Sequence, residues 1–483
     1  MRLNKSNKVA QICLIIAGCF ALPPISMAQI SLERPSVLAQ HYSADQAKPL
    51  LFTEAQSLLF SYSWQLAAAQ ANVDSKAALQ ESVALLGGPS VILAADSIYY
   101  NLDAEVNLNK IADQAVNDIS GGQLQMPGMI NLPNTEIRRK GNIHTVNALV
   151  AWPIYTGGKI TATKDFIAAQ TDEASADSRS ANSAVYTELV TRYFGAQLAQ
   201  KAANLRRDAL EAITTHNHTA QRMLEEGMIA RVERLEAQVA LEDAKRAADQ
   251  SRNQAKIANI ALQRLLQSEQ VITPTTPLFV SNRALPPLND FINLALVNHP
   301  DLAKIAAKTD QAKALHKADK SLWKPGVTAF AQQQLDSSQK NRMVGINVHW
   351  TLWSALDRRS SGRAALSQIH QAEYTDKQAK EDISVLVELN WRTVNDAREA
   401  YYALNSNIEL ANEFLRLRQA GLREGTSTVS DLIDAQVNLN KANTEQAQAA
   451  NSYIQALIQL LTSAGIPDQF EDYLNTADTR VQL

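Results

Sequence analysis

The chain has 483 residues, a formal charge of −3, and only 17 glycines and 15 prolines. That length accommodates two or three ordinary domains, and the mildly negative charge excludes a broad basic surface for nucleic acid. Alanine, glutamine and leucine are abundant and the helix breakers are clustered, which is the composition of long helices.

Arg2, Lys5 and Lys8 form a basic start, an apolar stretch runs from Ile12 to Leu22, and Ser26-Met27-Ala28 is a small-residue cleavage site. Residues 1–28 therefore read as a secretory signal, because the apolar run is shorter than the ~20 residues of a membrane helix. Ile16-Ala17-Gly18-Cys19 resembles a bacterial lipobox, a rival processing event that would leave a lipidated Cys19. The apolar run continues through Phe20-Ala21-Leu22, which favours cleavage after Ala28. Both cysteines, Cys13 and Cys19, lie in this signal, so the mature chain offers no disulfide and no cysteine-bound metal. Losing three basic and no acidic residues takes the formal charge from −3 to −6.

After an N-terminal arm to about Pro49, a helical period covers roughly Phe52 to Leu86 and stops at Gly87-Gly88-Pro89. The period then becomes two. Ile98, Tyr100, Leu102, Ala104, Val106 and Leu108 alternate with polar residues, which predicts a strand with one apolar face. Residues 110–142 carry Gly121-Gly122, Pro127-Gly128 and Pro133-Asn134 and read as a long loop. A second strand follows over His144–Tyr155, with Val146, Ala148, Val150, Trp152 and Ile154 on one face.

From Gly157-Gly158 the helical period returns for more than a hundred residues, interrupted at Gly227. After that break Ala237, Leu241, Ala244, Ala248, Ser251, Ala255, Ala258, Leu262 and Leu265 follow a 4,3 spacing, a heptad seam of mainly small residues. Residues 267–288, with four prolines, form a linker. A helix over Leu288–Leu322, a strand over Val327–Leu335, a turn over Asp336–Arg342 and a strand through Val344, Ile346, Val348, Trp350 and Leu352 lead to a second long helix ending at Gly425. The final helix repeats the seam at Ala435, Leu439, Ala442, Gln446, Ala449, Tyr453, Ala456, Leu460 and Ser463, each 198 residues beyond its counterpart. The chain thus divides into a first structural repeat at 29–266, the linker, a second repeat at 289–466 and a polar tail at 467–483.

Two hairpins cannot close a barrel, and open strand edges are not tolerated in lipid. Several chains that each donate four strands to one barrel would resolve this, with apolar faces toward lipid and polar faces toward a water-filled lumen. Trp152, Tyr155, Trp350 and Trp353 sit at the strand ends, where an aromatic girdle belongs. A soluble α+β protein with strands packed on helices is the competing reading; it does not account for aromatics at the strand–helix junction of both halves.

These features together resemble the outer-membrane efflux protein family, whose best-known member is TolC. The resemblance rests on Trp152-Pro153-Ile154-Tyr155-Thr156-Gly157-Gly158, on the turns at Gly227 and Gly425, on Asn298-His299-Pro300-Asp301-Leu302 and on the 198-residue duplication. It implies a mainly α fold with a small antiparallel β part. That fold is a TolC-like homotrimer in which twelve strands form one transmembrane β-barrel continuous with a helical periplasmic tunnel. It implies an outer-membrane location, outer-membrane lipid around the barrel, and partners in a periplasmic adaptor and an inner-membrane pump of RND or ABC type. The expected function is the outer-membrane duct of a tripartite export system. The alternatives are a type I protein secretion channel, or a periplasmic coiled-coil scaffold without a pore.

By position, Asp431 and Asp434 resemble the family's acidic rings at the periplasmic entrance, and Glu233 is the first-half counterpart of Asp431. The same acids also read as ordinary first-turn residues favouring a helix dipole. The turns at Gly227 and Gly425, with Glu226 and Glu424, are expected to contact the adaptor. Leu422 and Ser427 stand where TolC-like tips carry a tyrosine and an arginine, so the gate contacts depart from that pattern. Ser354-Ala355-Leu356-Asp357 departs likewise from the first half's Thr156-Gly157-Gly158-Lys159. No phosphate loop, nucleophile elbow or HExxH is present, and His216 and His218 point to different helix faces. The sequence thus predicts no enzyme, no metal and no cofactor, and leaves transport energy to a partner.

Overall fold

The structure, a computed structural model, describes residues 48–106, 110, 135–335 and 341–481. The signal, the lipobox, most of the 110–142 loop and the tip of the 336–342 turn lie outside the described residues.

The described chain begins with β1 (Lys48–Leu50), α1 (Phe52–Tyr62) and α2 (Trp64–Ser82). The one helix expected over 52–86 is two, because Ser63 is extended and its hydroxyl accepts the Leu66 N–H at 3.4 Å, capping a new helix. Strands β2 (Ser90–Val106) and β3 (Thr135–Tyr155) follow. Both are longer than their alternation predicted, and residues 135–142 belong to β3 rather than to a loop. Next come α3 (Lys159–Glu225), α4 (Arg231–Leu265) and, inside the linker, β4 (Ile272–Pro274) and β5 (Leu278–Val280).

The second half runs through α5 (Leu288–Asn298), α6 (Pro300–Ser321), β6 (Gly326–Gln334), β7 (Arg342–His349), α7 (Arg358–Arg423) and α8 (Val429–Ser463). The helix expected over 288–322 breaks at His299, since proline holds its predecessor in extended backbone. The His299 ring caps the new helix, its Nδ1 accepting the Asp301 N–H at 3.2 Å. Strand β7 ends at His349, so Trp350, Leu352 and Trp353 lie beyond it rather than within it. Helices α3 and α7 are each roughly 100 Å long at 1.5 Å per residue. Helices α4 and α8 have 35 residues each, with both ends 198 positions apart.

The residues after 466 are not simply a polar tail. They form α9 (Phe470–Asn475) and β8 (Thr479–Val481). Phe470, Tyr473 and Leu474 share one helix face, and Phe470 is fully buried. Strand β8 pairs antiparallel with β5, and β1 pairs parallel with β4, so both chain ends are tied to the linker.

The main core gathers around the middle of α3 and the C-terminal half of α8. Phe52, Tyr186, Tyr193, Phe194, Phe279, Tyr453 and Phe470 pack with ring centroids 5–7 Å apart, beside Ile454, Leu457, Ile458 and Leu461. Tyr193 pins this core. Its hydroxyl donates to the Leu50 carbonyl at 2.7 Å and accepts the Thr275 and Thr276 N–H groups at 3.1 and 2.9 Å. Burial pushes its phenol pKa up, so it stays a neutral donor. Tyr193→Phe leaves these backbone groups without that partner. It should cost about 1–3 kcal/mol, visible as a lower thermal midpoint of the helical circular dichroism signal; an unchanged midpoint would remove Tyr193 as the tie.

Strands β2, β3, β6 and β7 form one antiparallel sheet in that order. Its two edges, β2 and β7, have no strand partner among the described residues. The strand ladder runs from Ser90 opposite Ala151 to Val106 opposite Thr135 in the first hairpin. Strand β6 meets β3 only between Asn147 and Tyr155, with a bulge at Pro153.

Candidate functional site

Two places concentrate the residues singled out by the sequence: the turns at the far ends of the long helices, and the sheet with its junction to the helices. The turns are built alike. At the end of α3 the Met228 N–H reaches the Met223 carbonyl at 2.7 Å and the Gly227 N–H reaches Leu224 at 3.0 Å. At the end of α7 the Thr426 N–H reaches Gly421 at 2.8 Å and the Gly425 N–H reaches Leu422 at 3.4 Å. This paired arrangement needs a left-handed residue after the cap, and Gly227 and Gly425 both have φ +73°. Glu226 and Glu424 are the exposed capping residues just before them.

Asp431 sits in a reciprocal cap. Its Oδ2 accepts the Thr428 N–H and hydroxyl, each at 3.0 Å, and its own N–H donates to Thr428 Oγ1 at 3.1 Å. Arg418 Nη1 lies 3.6 Å from the same oxygen, while its guanidinium stacks 4.9 Å over the Phe414 ring. The Thr428 bonds, with Arg418 nearby, hold the Asp431 carboxyl below its ordinary range. The stability from this cap is therefore present above the ordinary carboxylate pKa and is lost only as pH falls through the lowered value. Asp434, one turn further, is exposed. In the first half Glu233 occupies the Asp431 position, but its helix is capped by Ala230 with no side-chain bond. Glu236 is exposed at the Asp434 position; sequence reasoning missed it, although the 198-residue offset points straight to it. Arg418 was missed too, and has no counterpart charge, since Ala220 stands at its place in the first half. Leu422 packs on a small buried cluster of Ala220, Ala237, Val429 and Ile433, which joins the two halves near the turns.

The sheet presents one apolar face. Val91 and Leu93 of β2, Val150 and Trp152 of β3, and Val344, Ile346 and Val348 of β7 lie on it, each more than a third exposed. Ala329 and Ala331 of β6 complete it by register. The opposite face is mixed: Asn147, Thr328, Gln332, Gln334 and Asn347 lie on it together with Ile92, Leu149, Phe330 and Met343. One expectation is corrected here. Ile98 and Tyr100 do not share the face of Val146, Ala148 and Val150, because Val146 pairs with Ala95 and the ladder has no shift before Ile98. The alternation in β2 changes phase near Asp96, so reading it from Ile98 onward assigned the wrong side.

At the junction, both tryptophans perform one task. The Trp152 indole N–H donates to the Gly87 carbonyl at 3.1 Å, and that of Trp350 to the Trp323 carbonyl at 3.1 Å. Each ties a strand end to the close of the preceding helical segment through a donor that Phe lacks. Tyr155 ends β3, and Trp353 stands 84% exposed beyond β7. The departure at Ser354–Asp357 has a local reason: α7 is capped by the Asp357 side chain accepting the Arg359 N–H at 3.0 Å, whereas α3 starts from Gly158.

No described helix is long and apolar enough to cross a membrane, and no group of three metal-ligating side chains occurs among the described residues. The profile of the family described as "Outer membrane efflux protein" matches residues 133–267 and 291–466, more than half of the chain and divided at the linker. The chain belongs to the outer membrane efflux protein family. Membership places it in the outer membrane, in a family of channels. This efflux family member is 22% identical over 305 residues to the alkaline protease secretion protein AprF of Pseudomonas aeruginosa. That match covers 60% of the chain, and the chain spans 63% of the length of that curated relative. Its fold is that of solved outer-membrane channels. OprN matches with a TM-score of 0.69 at 18% identity, over 86% of this chain and 89% of OprN. CusC matches with 0.72 at 12% identity, over 89% and 96%. The TolC-like fold, mainly helical with a small antiparallel sheet, is therefore the fold of this protein.

Proposed function

We propose that this outer membrane efflux protein is one third of an export duct, and the observation that carries the reading is the open-edged, one-sided sheet. An unpaired strand edge in lipid costs several kcal/mol for each unsatisfied group, so β7 of one copy must pair with β2 of the next until the ring closes. Two copies would give eight strands, whose interior side chains fill. Three give twelve, leaving a water-filled lumen lined by the opposite face. Helix α7 supports the same assembly. It buries only Ile383, Val387, Val394 and Tyr401 within one chain, and leaves Val385, Leu389, Leu410 and Leu417 more than half exposed for a neighbour.

In this duct the turns at Gly227 and Gly425 form the periplasmic end, where a periplasmic adaptor docks and an inner-membrane pump of RND or ABC type supplies the energy. Trp152, Tyr155, Trp350 and Trp353 lie at the periplasmic boundary between the outer membrane and water. Asp434 and Glu236, exposed on the helices just past the turns, supply the entrance acids together with Glu233. Asp431 contributes less field, because Arg418 faces it. The exported cargo divides into two classes. Small-molecule efflux is one; type I protein secretion is favoured by the likeness to a relative named for alkaline protease secretion. Capture of the adaptor and pump by the tagged protein from its native membrane decides between them, an ABC-type pump favouring secretion.

The assembly is tested by extraction. The protein should leave the membrane only with detergent, as a trimer that dissociates on heating. Recovery as a soluble monomer would rule the duct out in favour of a periplasmic scaffold. In the reconstituted pore, replacing Asp434 and Glu236 together by alanine should lower cation over anion selectivity, and should lower it more than Asp431→Ala alone. Unchanged selectivity would remove these acids from the entrance.

A further inference from the structure

Two offsets relate the halves of the chain. From the second strand of each hairpin onward the offset is 198. Before the hairpins it is 236. At that spacing α1 and α5 have 11 residues each, and Ser63 and His299 are both extended and both cap the helix that follows. Gly87 and Trp323, which accept the two indole N–H groups, are also 236 apart. The strand ladders agree with both offsets, since Ser90 lies opposite Ala151 and Gly326 opposite His349. Helix α2 is thus the counterpart of α6, and α3 is the counterpart of α7.

Helix α6 packs against both α3 and α7. Its contact with α3 is charged. Lys304 reaches Asp177 at 2.7 Å, Lys308 reaches Glu173 at 3.6 Å and Lys317 reaches Asp165 at 2.9 Å. Gln311 Nε2 donates to Glu173 Oε2 at 2.6 Å. Ala307 and Ala314 of α6 are buried. Helix α2 lacks such cover. It leans on α3 and buries no residue, and the counterparts of those two alanines, Ala71 and Ala78, are exposed. Along α7 an open groove of about 710 Å³ is lined by Ser367, Gln371, Tyr374 and Thr375. It is the counterpart of the α3 surface that α6 covers, with Gln371 and Thr375 at the places of Glu173 and Asp177.

The chemistry of the two uncovered surfaces has changed together. Where α3 sets Asp177 and Glu173 against Lys304 and Lys308, α7 has Thr375 and Gln371, and α2 has Ala68 and Asn72. Both charges of each pair are absent, never one alone. Tyr374 stands on α7 where α3 has the fully buried Ala176, and α2 gives up volume at Ala68 and Asn72 relative to the two lysines. At the end nearest the sheet both charges persist with their signs exchanged, because Asp165 and Lys317 correspond to Arg363 and Glu81. Arg363 and Glu81 are both exposed, with Arg363 donating to Ser360 Oγ at 3.0 Å.

We propose that α2 of the next copy fills the α7 groove as α6 fills that of α3, with Glu81 of one copy paired to Arg363 of its neighbour. The inference rests on the trimeric duct above and names the surface by which its copies meet. A head-to-tail contact of this kind closes into a ring. The exchanged signs make it specific. In the place of α6 on α3, α2 would set Glu81 against Asp165; in the α7 groove, α6 would set Lys317 against Arg363. Like charges therefore oppose either helix in the other's place.

The test uses the full-length protein as Glu81→Cys/Arg363→Cys, since its own two cysteines lie in the signal. Trimer is treated with a short bismaleimide and then boiled in detergent. The double variant should remain as covalent dimers and trimers, and each single variant should fall to monomers. Monomers alone from the double variant, or equal cross-linking of a single variant, would overturn the proposal. Charge reversal is the second arm. Glu81→Arg and Arg363→Glu should each lower the temperature at which the trimer dissociates, and the two together should recover most of that loss. A combined variant no better than the worse single change would overturn the Glu81–Arg363 pairing. A chain that never trimerises overturns the duct and this inference with it. A conducting trimer whose double-cysteine form does not cross-link overturns this inference alone.

Discussion

Ile346→Arg should abolish assembly in the outer membrane, while Asn347→Arg, one residue away, should leave it intact. Ile346 stands in the middle of β7, 68% exposed, opposite Ala329 on the apolar face. In a closed barrel that position meets the hydrocarbon, where a lipid-facing arginine near the midplane costs about 2–4 kcal/mol per copy. In the proposed trimer symmetry places the same charge in every copy, so the penalty acts three times on one barrel. Asn347 pairs with Thr328 on the other face, where an added charge meets water and changes only ion selectivity. The readout is the yield of heat-dissociable trimer in outer-membrane fractions of cells making each variant. Equal loss for both would mean the sheet does not have one lipid face. Equal tolerance would mean it does not meet lipid.

The second large effect is expected far from both ends, at Gly465. This residue follows α8 with φ +73°, and a Cβ on it would lie 2.7 Å from the Asn298 carbonyl carbon and 2.9 Å from the His299 nitrogen. Both obstacles are backbone, at the α5–α6 break that Pro300 fixes, so neither can swing aside. Gly465→Ala combines left-handed strain of about 1–2 kcal/mol with overpacking of about 1–3 kcal/mol, a loss of roughly 3 kcal/mol in all. The first half supplies the control. Gln267, 198 residues earlier, holds the same left-handed place with φ +52°. Its replacement by glycine should relieve strain, and after the added freedom of the unfolded chain should stabilise by about 0.5 kcal/mol. Thermal melting of the helical signal in detergent compares the two. A stable Gly465→Ala protein would show that α8 does not end against the α5–α6 break as described.

The contrast between these positions shows what the sequence could and could not display. The long helices, their breaks at Gly227 and Gly425 and the seams on α4 and α8 were legible because each is a local pattern, and because the duplication states each pattern twice. The strands were legible where alternation kept one phase, as in β7. They were misread where it changed phase, as at Asp96, because the side a residue faces is fixed by pairing with a distant strand and not by its own neighbours. Phe470 was hidden in an apparently polar tail for a similar reason: a six-residue helix has too few turns to show a period. At the turns, the acids could be found by position, but the Arg418 partner of Asp431 could not. It sits 13 residues away across a turn, and only the packing of α7 against α8 brings the two within 3.6 Å. The sequence brought the tryptophans at 152 and 350 to the strand–helix junctions, although Trp350 lies just past the end of β7, and their bonds to the Gly87 and Trp323 carbonyls depend on where the preceding helical segments stop.

The closing of three open sheets into one pore is the claim on which the rest depends, and single-channel recording tests it most directly. Purified full-length protein, extracted in detergent as the heat-dissociable trimer and added to a planar bilayer, should insert in discrete conductance steps of uniform size and favour cations. A trimer that binds the bilayer without conducting, or steps that appear only with heat-dissociated monomer, would contradict it.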